Sequence, residues 1–271
     1  MAKDLAQTWR NPHVRDTLFL RADFRSQRFD RHFHEEYAMG VIDSGCQAFI
    51  YDRGRRLDMP GGSVALIAPG VVHSGWAGVE EGWRYRMMYP ASGVIDETAQ
   101  EIFGSGPVPV FHRPVVFDPH LQALLARLHD ASHDPARDPM ELETLTLAVV
   151  RRAFEQHAGR APPKHLAQHS TATATMRDLI ESRYDGPLTL AELSEAAGLS
   201  RFHALRQFRA RFGLPPHAYL QQLRVRRARS LILSGDALAE TAVAVGFADQ
   251  AHMTRAFRRM LGYTPGVLSR S

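Results

Sequence analysis

Leu190-Ala-Glu-Leu-Ser-Glu-Ala-Ala-Gly-Leu199 and Leu238-Ala-Glu-Thr-Ala-Val-Ala-Val-Gly-Phe247 are two copies of one pattern, with Gly198 and Gly246 aligned at an offset of 48. One extra residue then enters the second copy. From there Ser200, Arg206, Phe208, Arg209, Gly213 and Pro216 match Asp249, Arg255, Phe257, Arg258, Gly262 and Pro265 at an offset of 49. Self-similarity at a fixed period means one supersecondary unit used twice.

Each copy has the physical parts of a helix-turn-helix. Thr189 is placed to cap the first helix while Glu192 reaches back to complete a capping box, and Asp236 is expected to cap the counterpart. Gly198 and Gly246 stand where a short helix ends and the chain must take a positive φ. Ser200 and Asp249 are natural N-caps for the second helix of each unit. In that helix Ala204, Phe208 and Phe212 form one stripe, as do Met253, Phe257 and Leu261, and these are expected to pack inward. The opposite face presents Phe202, Arg206 and Arg209 in one copy and Gln250, Thr254, Arg255 and Arg258 in the other. Between the copies, Pro215-Pro216 opens a helix from about His217 to Leu233 that carries Arg224, Arg226, Arg227 and Arg229 and is expected to fix the separation of the two units.

Charge says what this half of the chain meets. The 271 residues carry a net charge of +4, but residues 173–271 hold 14 Lys+Arg against 8 Asp+Glu, a balance of +6, and the rest hold 19 against 21, or −2. Lys3 and Lys164 are the only lysines, so the basic character is almost wholly arginine. A single glycine between two helices is weak evidence for nucleic-acid binding, and an arginine-rich face is often merely solvated. Two matched copies on a basic domain point to double-stranded DNA.

The front half has another rhythm. From about Thr17 to Pro90, short alternating runs are broken by turn signals at Asp43-Ser-Gly, Asp52-Arg-Gly, Pro60-Gly-Gly and Pro69-Gly, as in a small antiparallel barrel or sandwich. Trp83, Tyr85, Met87 and Tyr89 fall on one strand face, Arg84 and Arg86 on the other. With Trp76, the first three either line a pocket or pack as core. Helical spacing follows at Leu121, Leu124, Leu125 and Leu128, and again at Leu142, Leu145, Val149 and Phe154. The second stretch, Met140 to His157, also carries Leu147 and Val150, an apolar surface broad enough either to meet a second subunit or to be buried in its own domain. A linker is read from Ala158 onward, with Pro162-Pro163 favouring extended chain. The expected class is α+β: a β-barrel domain with following helices at 1–160, a linker at 161–172, and an all-α domain with two helix-turn-helix units at 173–271.

Cys46 is the single cysteine, so no intrachain disulfide forms and the fold rests on packing. The stretch from Met1 to Pro12 has no apolar signal-like core, and no later stretch approaches the ~20 apolar residues that cross a bilayer. A soluble, cytoplasmic protein is expected.

From about Met176 to Ser269 the residues resemble the AraC/XylS family of bacterial transcription regulators. The resemblance is carried by Ala197-Gly-Leu-Ser-Arg-Phe-His, Arg206-Gln-Phe-Arg, the Arg226-Arg-Ala-Arg-Ser-Leu-Ile-Leu run, Gly246-Phe-Ala-Asp-Gln-Ala-His-Met-Thr-Arg-Ala-Phe-Arg and Gly262-Tyr-Thr-Pro. It implies two recognition helices in successive major-groove segments, with base or groove contacts at Phe202, Leu205 and Arg206, and at Gln250, Ala251, Thr254 and Arg255. Arg209 and Arg258, one turn further along, suit phosphate. The front half is similar to cupin-type sensor domains, with His32-Phe-His34 and His73 as counterparts of the two cupin histidine clusters. The usual cupin glutamate is missing, Ala38 and Met39 standing in its places. Three imidazoles suit Zn, Ni, Cu or Fe, and a transition metal is the one candidate cofactor; hydrogen-bonded histidines at a barrel mouth are the other reading. The resemblance implies a small-molecule effector, a homodimer, and RNA polymerase as a further partner. The competing class is a metal-dependent cupin enzyme, which would leave the tandem module without a role.

Overall fold

A computed structural model describes residues 4–14, 16–51, 54–107, 109–160 and 171–268. They fall into two compact units, one drawn from residues 4–28 and 33–160, the other from 171–268 with the segment 29–32. In chain order come β1 (Leu5–Trp9), β2 (Leu18–Phe24), β3 (Arg28–His32), β4 (Ala38–Tyr51), β5 (Arg55–Pro60), β6 (Val64–Ile67), β7 (His73–Ala77) and β8 (Trp83–Tyr89). Then follow α1 (Ser92–Phe103), β9 (Pro109–Phe111), β10 (Val115–Val116), α2 (Pro119–Ala131), α3 (Pro139–His157) and β11 (Ala158–Arg160).

The strands pair antiparallel in the order β1-β2-β8-β4-β6-β10. β4 is long because it serves twice. Its first residues pair with β6 and β8, its later ones with β5 and β7, and a bulge between Ile42 and Ser44 marks the change. A strand that passes between two sheet portions at a bulge makes the corner of a double-layered β fold.

One sheet face is closed by helices. Phe19, Met39, Leu66 and Met88 share a buried core with Leu121, Leu125 and Leu128 of α2 and with Leu142, Val149 and Phe154 of α3. Both helices start on an Asp-Pro pair, whose proline is pre-set for the first helical turn. The Asp118 carboxylate accepts from the Leu121 amide at 3.0 Å, and that of Asp138 from the Met140 amide at 2.9 Å. Behind the sheet, Trp83 and Tyr85 pack on Phe24, with ring centroids 5.4 and 5.9 Å away.

Of the two readings of the α3 face, burial in its own domain holds for Leu145 and Val149, 5% and 0% exposed, while the exposed apolar residues of α3 are Met140 and Leu147. Ala158 and Gly159, read as the start of the linker, pair with Phe111 and Val110. The turn at residues 52–53 and residues 161–170 of the expected linker lie outside the described residues.

The second unit is helical: α4 (Thr171–Ser182), α5 (Leu190–Ala196), α6 (Arg201–Phe212), α7 (Pro216–Leu233), α8 (Leu238–Ala244), α9 (Gln250–Leu261) and α10 (Pro265–Leu268). α7 packs against both α6 and α9 and so ties one helix-turn-helix to the other. Its arginines are largely structural. Arg224 is 8% exposed and donates to the carbonyls of Tyr184 and Gly186 at 2.7 and 2.8 Å, Arg226 and Arg229 are half-buried, and Arg227 lies over the Tyr184 ring.

Candidate nucleic-acid interface

α6 and α9 are built alike from the backbone outward. Ser200 Oγ accepts from the His203 amide at 3.3 Å and Asp249 Oδ1 from the His252 amide at 2.6 Å, so each helix begins at a side-chain cap. Each runs for twelve residues and ends at a left-handed glycine, Gly213 or Gly262. The turns that precede them run through Gly198 and Gly246 at φ of 64° and 85°. The Thr189–Glu192 capping box is present in full. Its counterpart is not: α8 is preceded by Ala237 without a side-chain cap, and Asp236 does not take that role. The sequence Asp236-Ala-Leu leaves the carboxylate one residue too early to be the cap.

The inward stripes are anchored by Ala204 and Phe208 in α6 and by Met253, Ala256, Phe257 and Met260 in α9, all buried. Phe212 and Leu261, read as stripe members, are half-buried at the helix ends. The opposite faces reach solvent: Phe202, Leu205, Arg206 and Arg209 on α6, and Gln250, Ala251, Arg255 and Arg258 on α9, with Thr254 half-buried. Leu205 also borders a small apolar cleft of about 130 Å³ with Leu190, Leu193 and Pro216, a neighbourhood its sequence position did not announce. Glu192 is engaged with Arg183 at 3.0 Å and with Thr189, which leaves Arg206 to project outward.

The family models match in the same order as the units: an AraC-like ligand binding domain over residues 16–150 and a helix-turn-helix domain over residues 193–271. The chain belongs to the AraC family of transcription regulators. Among its AraC-type relatives, the uncharacterized HTH-type transcriptional regulator YbfI of Bacillus subtilis is 28% identical over 84% of this chain and 82% of its own. An AraC-like transcription regulator of Streptomyces antibioticus is 31% identical over 62% of this chain and 58% of its own. In fold, this AraC family chain is similar to ToxT of Vibrio cholerae bound to an unsaturated fatty acid, with a TM-score of 0.55 at 12% identity over 98% of this chain and 95% of that one.

Within the stretch matched by the ligand-binding model, His32, His34 and His73 are brought together, their ligand atoms all within 4.8 Å of one another. His32 Nδ1 bonds the Asp30 carbonyl at 2.7 Å and His73 Nδ1 the Val71 carbonyl at 2.9 Å. A carbonyl only accepts, so Nδ1 donates in both rings, and in the neutral imidazole Nε2 then carries the lone pair. The donor set, imidazoles oriented by backbone carbonyls, is chemically suited to a borderline divalent ion. Sequence gave no sign of a second feature, an open cleft of about 660 Å³ over β1, β2 and β8, lined by Gln7, Arg21, Asp43, Arg84 and Arg86 among others. Arg86 is held by Asp43 and Asp130 at 2.9 and 3.0 Å, while Arg84 donates to Ser44 at 2.9 Å.

Proposed function

We propose that this regulator binds duplex DNA with sequence preference through α6 and α9, and that a small molecule taken up by the N-terminal domain sets how tightly it does so. The observation that carries the first part is the equivalence of Arg206 and Arg255: both exposed, both six residues after a side-chain cap, both two residues before a buried phenylalanine. An arginine so placed can fork onto guanine O6 and N7 from a helix lying in the major groove. Support for the second part is the matched ligand-binding domain and the ligand held by ToxT, a chain of similar fold. Control requires that the effector bind the DNA-competent and incompetent states with different affinity.

The histidine cluster supports a divalent transition metal held through imidazole nitrogens, a structural or effector-binding centre within the sensing domain. A cupin-type enzyme would use the same cluster and give the DNA-binding half nothing to do. RNA polymerase is the second macromolecular partner of this reading, a homodimer its assembly and the cytoplasm its place of action. Among the described residues no helix is long and apolar enough to cross a membrane.

The test uses the full chain. Binding-site selection from random duplexes is expected to return one sequence pattern, protected over two successive turns. A thermal-shift screen of metabolites, long-chain fatty acids included, is expected to return a stabilising compound that changes affinity for that duplex. Selection without enrichment would refute the first part, and a stabilising compound without effect on DNA affinity the second.

A further inference from the structure

The two recognition helices match position for position at an offset of 49, yet their exposed faces differ at the second helical residue: Phe202 in α6, Ala251 in α9. Phe202 is 69% exposed. Four residues on, Arg206 lies over it, its guanidinium carbon 5.8 Å from the ring centroid. Residues four apart share one helix face, and a cation over an aromatic ring is attracted by the ring's negative face.

We propose that Phe202, placed by the family resemblance among the base or groove contacts, acts instead as a positioning residue for Arg206, holding the guanidinium before DNA arrives, so that the first unit reads with a pre-set arginine and the second with one that has no ring at the equivalent position. The inference rests on the proposed reading of bases by Arg206 and Arg255. Arginine has high rotamer entropy, and a side chain ordered in advance loses less on binding. An exposed cation–π contact corresponds to roughly 2- to 5-fold in an equilibrium constant. Nothing comparable can form at Ala251, which has no ring.

A double-mutant cycle on the duplex selected by the wild-type chain tests this. Phe202→Ala is expected to lower affinity roughly 2- to 5-fold and to weaken discrimination at the base read by Arg206, while Phe202→Tyr, which keeps the ring, preserves both. In an Arg206→Ala background, Phe202→Ala should have no further effect. Ala251→Phe should sharpen discrimination at the base read by Arg255. Thermal unfolding monitors the fold of every variant. An undiminished loss from Phe202→Ala in the Arg206→Ala background means that Phe202 touches DNA on its own account and overturns the proposal. A wild-type chain that selects no sequence overturns the tandem reading itself; one that selects, with Phe202→Ala indistinguishable from it, overturns this inference alone.

Discussion

Arg152 on α3 grips the carboxylate of Asp118, the cap of α2, with Nε and Nη2 at 2.9–3.1 Å, while His157 bonds the second oxygen at 2.8 Å. One 5%-exposed side chain thus starts one helix and fastens the next. Burial alone would raise the Asp118 pKa, but hydrogen bonds from Arg152, the Leu121 amide and His157 outweigh it and hold the carboxyl well below the usual range.

A carboxylate with a depressed folded pKa stabilises the native state above its unfolded value of about 3.9, and that contribution is lost as pH falls toward the folded value. Asp118→Asn should therefore destabilise the N-terminal domain at neutral pH by about 3 kcal/mol, the low end for breaking a buried pair. It should also flatten the fall in stability between pH 5 and pH 2, which denaturant titrations across that window would measure. A variant as acid-sensitive as the wild type would contradict the assignment.

The two turn glycines make unequal demands. At Gly198 a Cβ would meet nothing within 4 Å, so Gly198→Ala should cost about 1 kcal/mol, from the left-handed backbone alone. At Gly246 the Cβ would sit 2.5 Å from the Asp185 carbonyl oxygen, so Gly246→Ala adds a backbone clash of about 1–3 kcal/mol. Chemical denaturation of the two variants should rank them in that order; equal losses would refute the close approach.

Arg206→Ala and Arg255→Ala should each weaken specific binding roughly 5- to 150-fold and relax preference at positions about 10 base pairs apart. Arg209→Ala and Arg258→Ala should lower affinity on all sequences and flatten its salt dependence. Footprinting and repeated site selection separate the pairs. Unchanged base preference in the first pair would end the assignment.

Protein purified without a tag should hold near-stoichiometric transition metal, lost in the His32→Ala/His34→Ala double variant. Elemental analysis of both preparations decides it. Metal-free protein with a full effector response would remove the ion from the account.

Self-association, if carried by α3, must use its exposed side. Leu147→Glu should then yield monomers in light scattering with the fold intact, whereas Leu145→Glu should unfold the domain that buries Leu145. An unchanged mass for folded Leu147→Glu would place assembly elsewhere.

The helical half was legible because its signals are local. Caps, positive-φ glycines and a 3.6-residue stripe each act within one or two turns, and the duplication stated them twice. Where a cap had no second cue, at Asp236, the reading missed by one residue. The front half depends on distant pairing. β2 pairs with β8, far along the chain, and α1 carries only Ile95 and Thr98 buried, with no side-chain cap, so neither has a pattern that stands out in the sequence. The breadth of the α3 apolar face was visible; that its own sheet and α2 cover most of it is a tertiary fact. For the candidate site, spacing indicated that His32, His34 and His73 could converge, while the arginine-lined cleft over β1, β2 and β8 arises only once strands remote in sequence lie side by side.

Phe202 facing out of α6 and Ala251 out of α9 give the tandem module a head and a tail. Two units with unlike exposed faces, set down in fixed order, do not dock equivalently on the reverse complement. On the proposed reading, even one protomer would sit on its operator in a single direction, and inverting the operator would turn the whole regulator to face the other way along the chromosome.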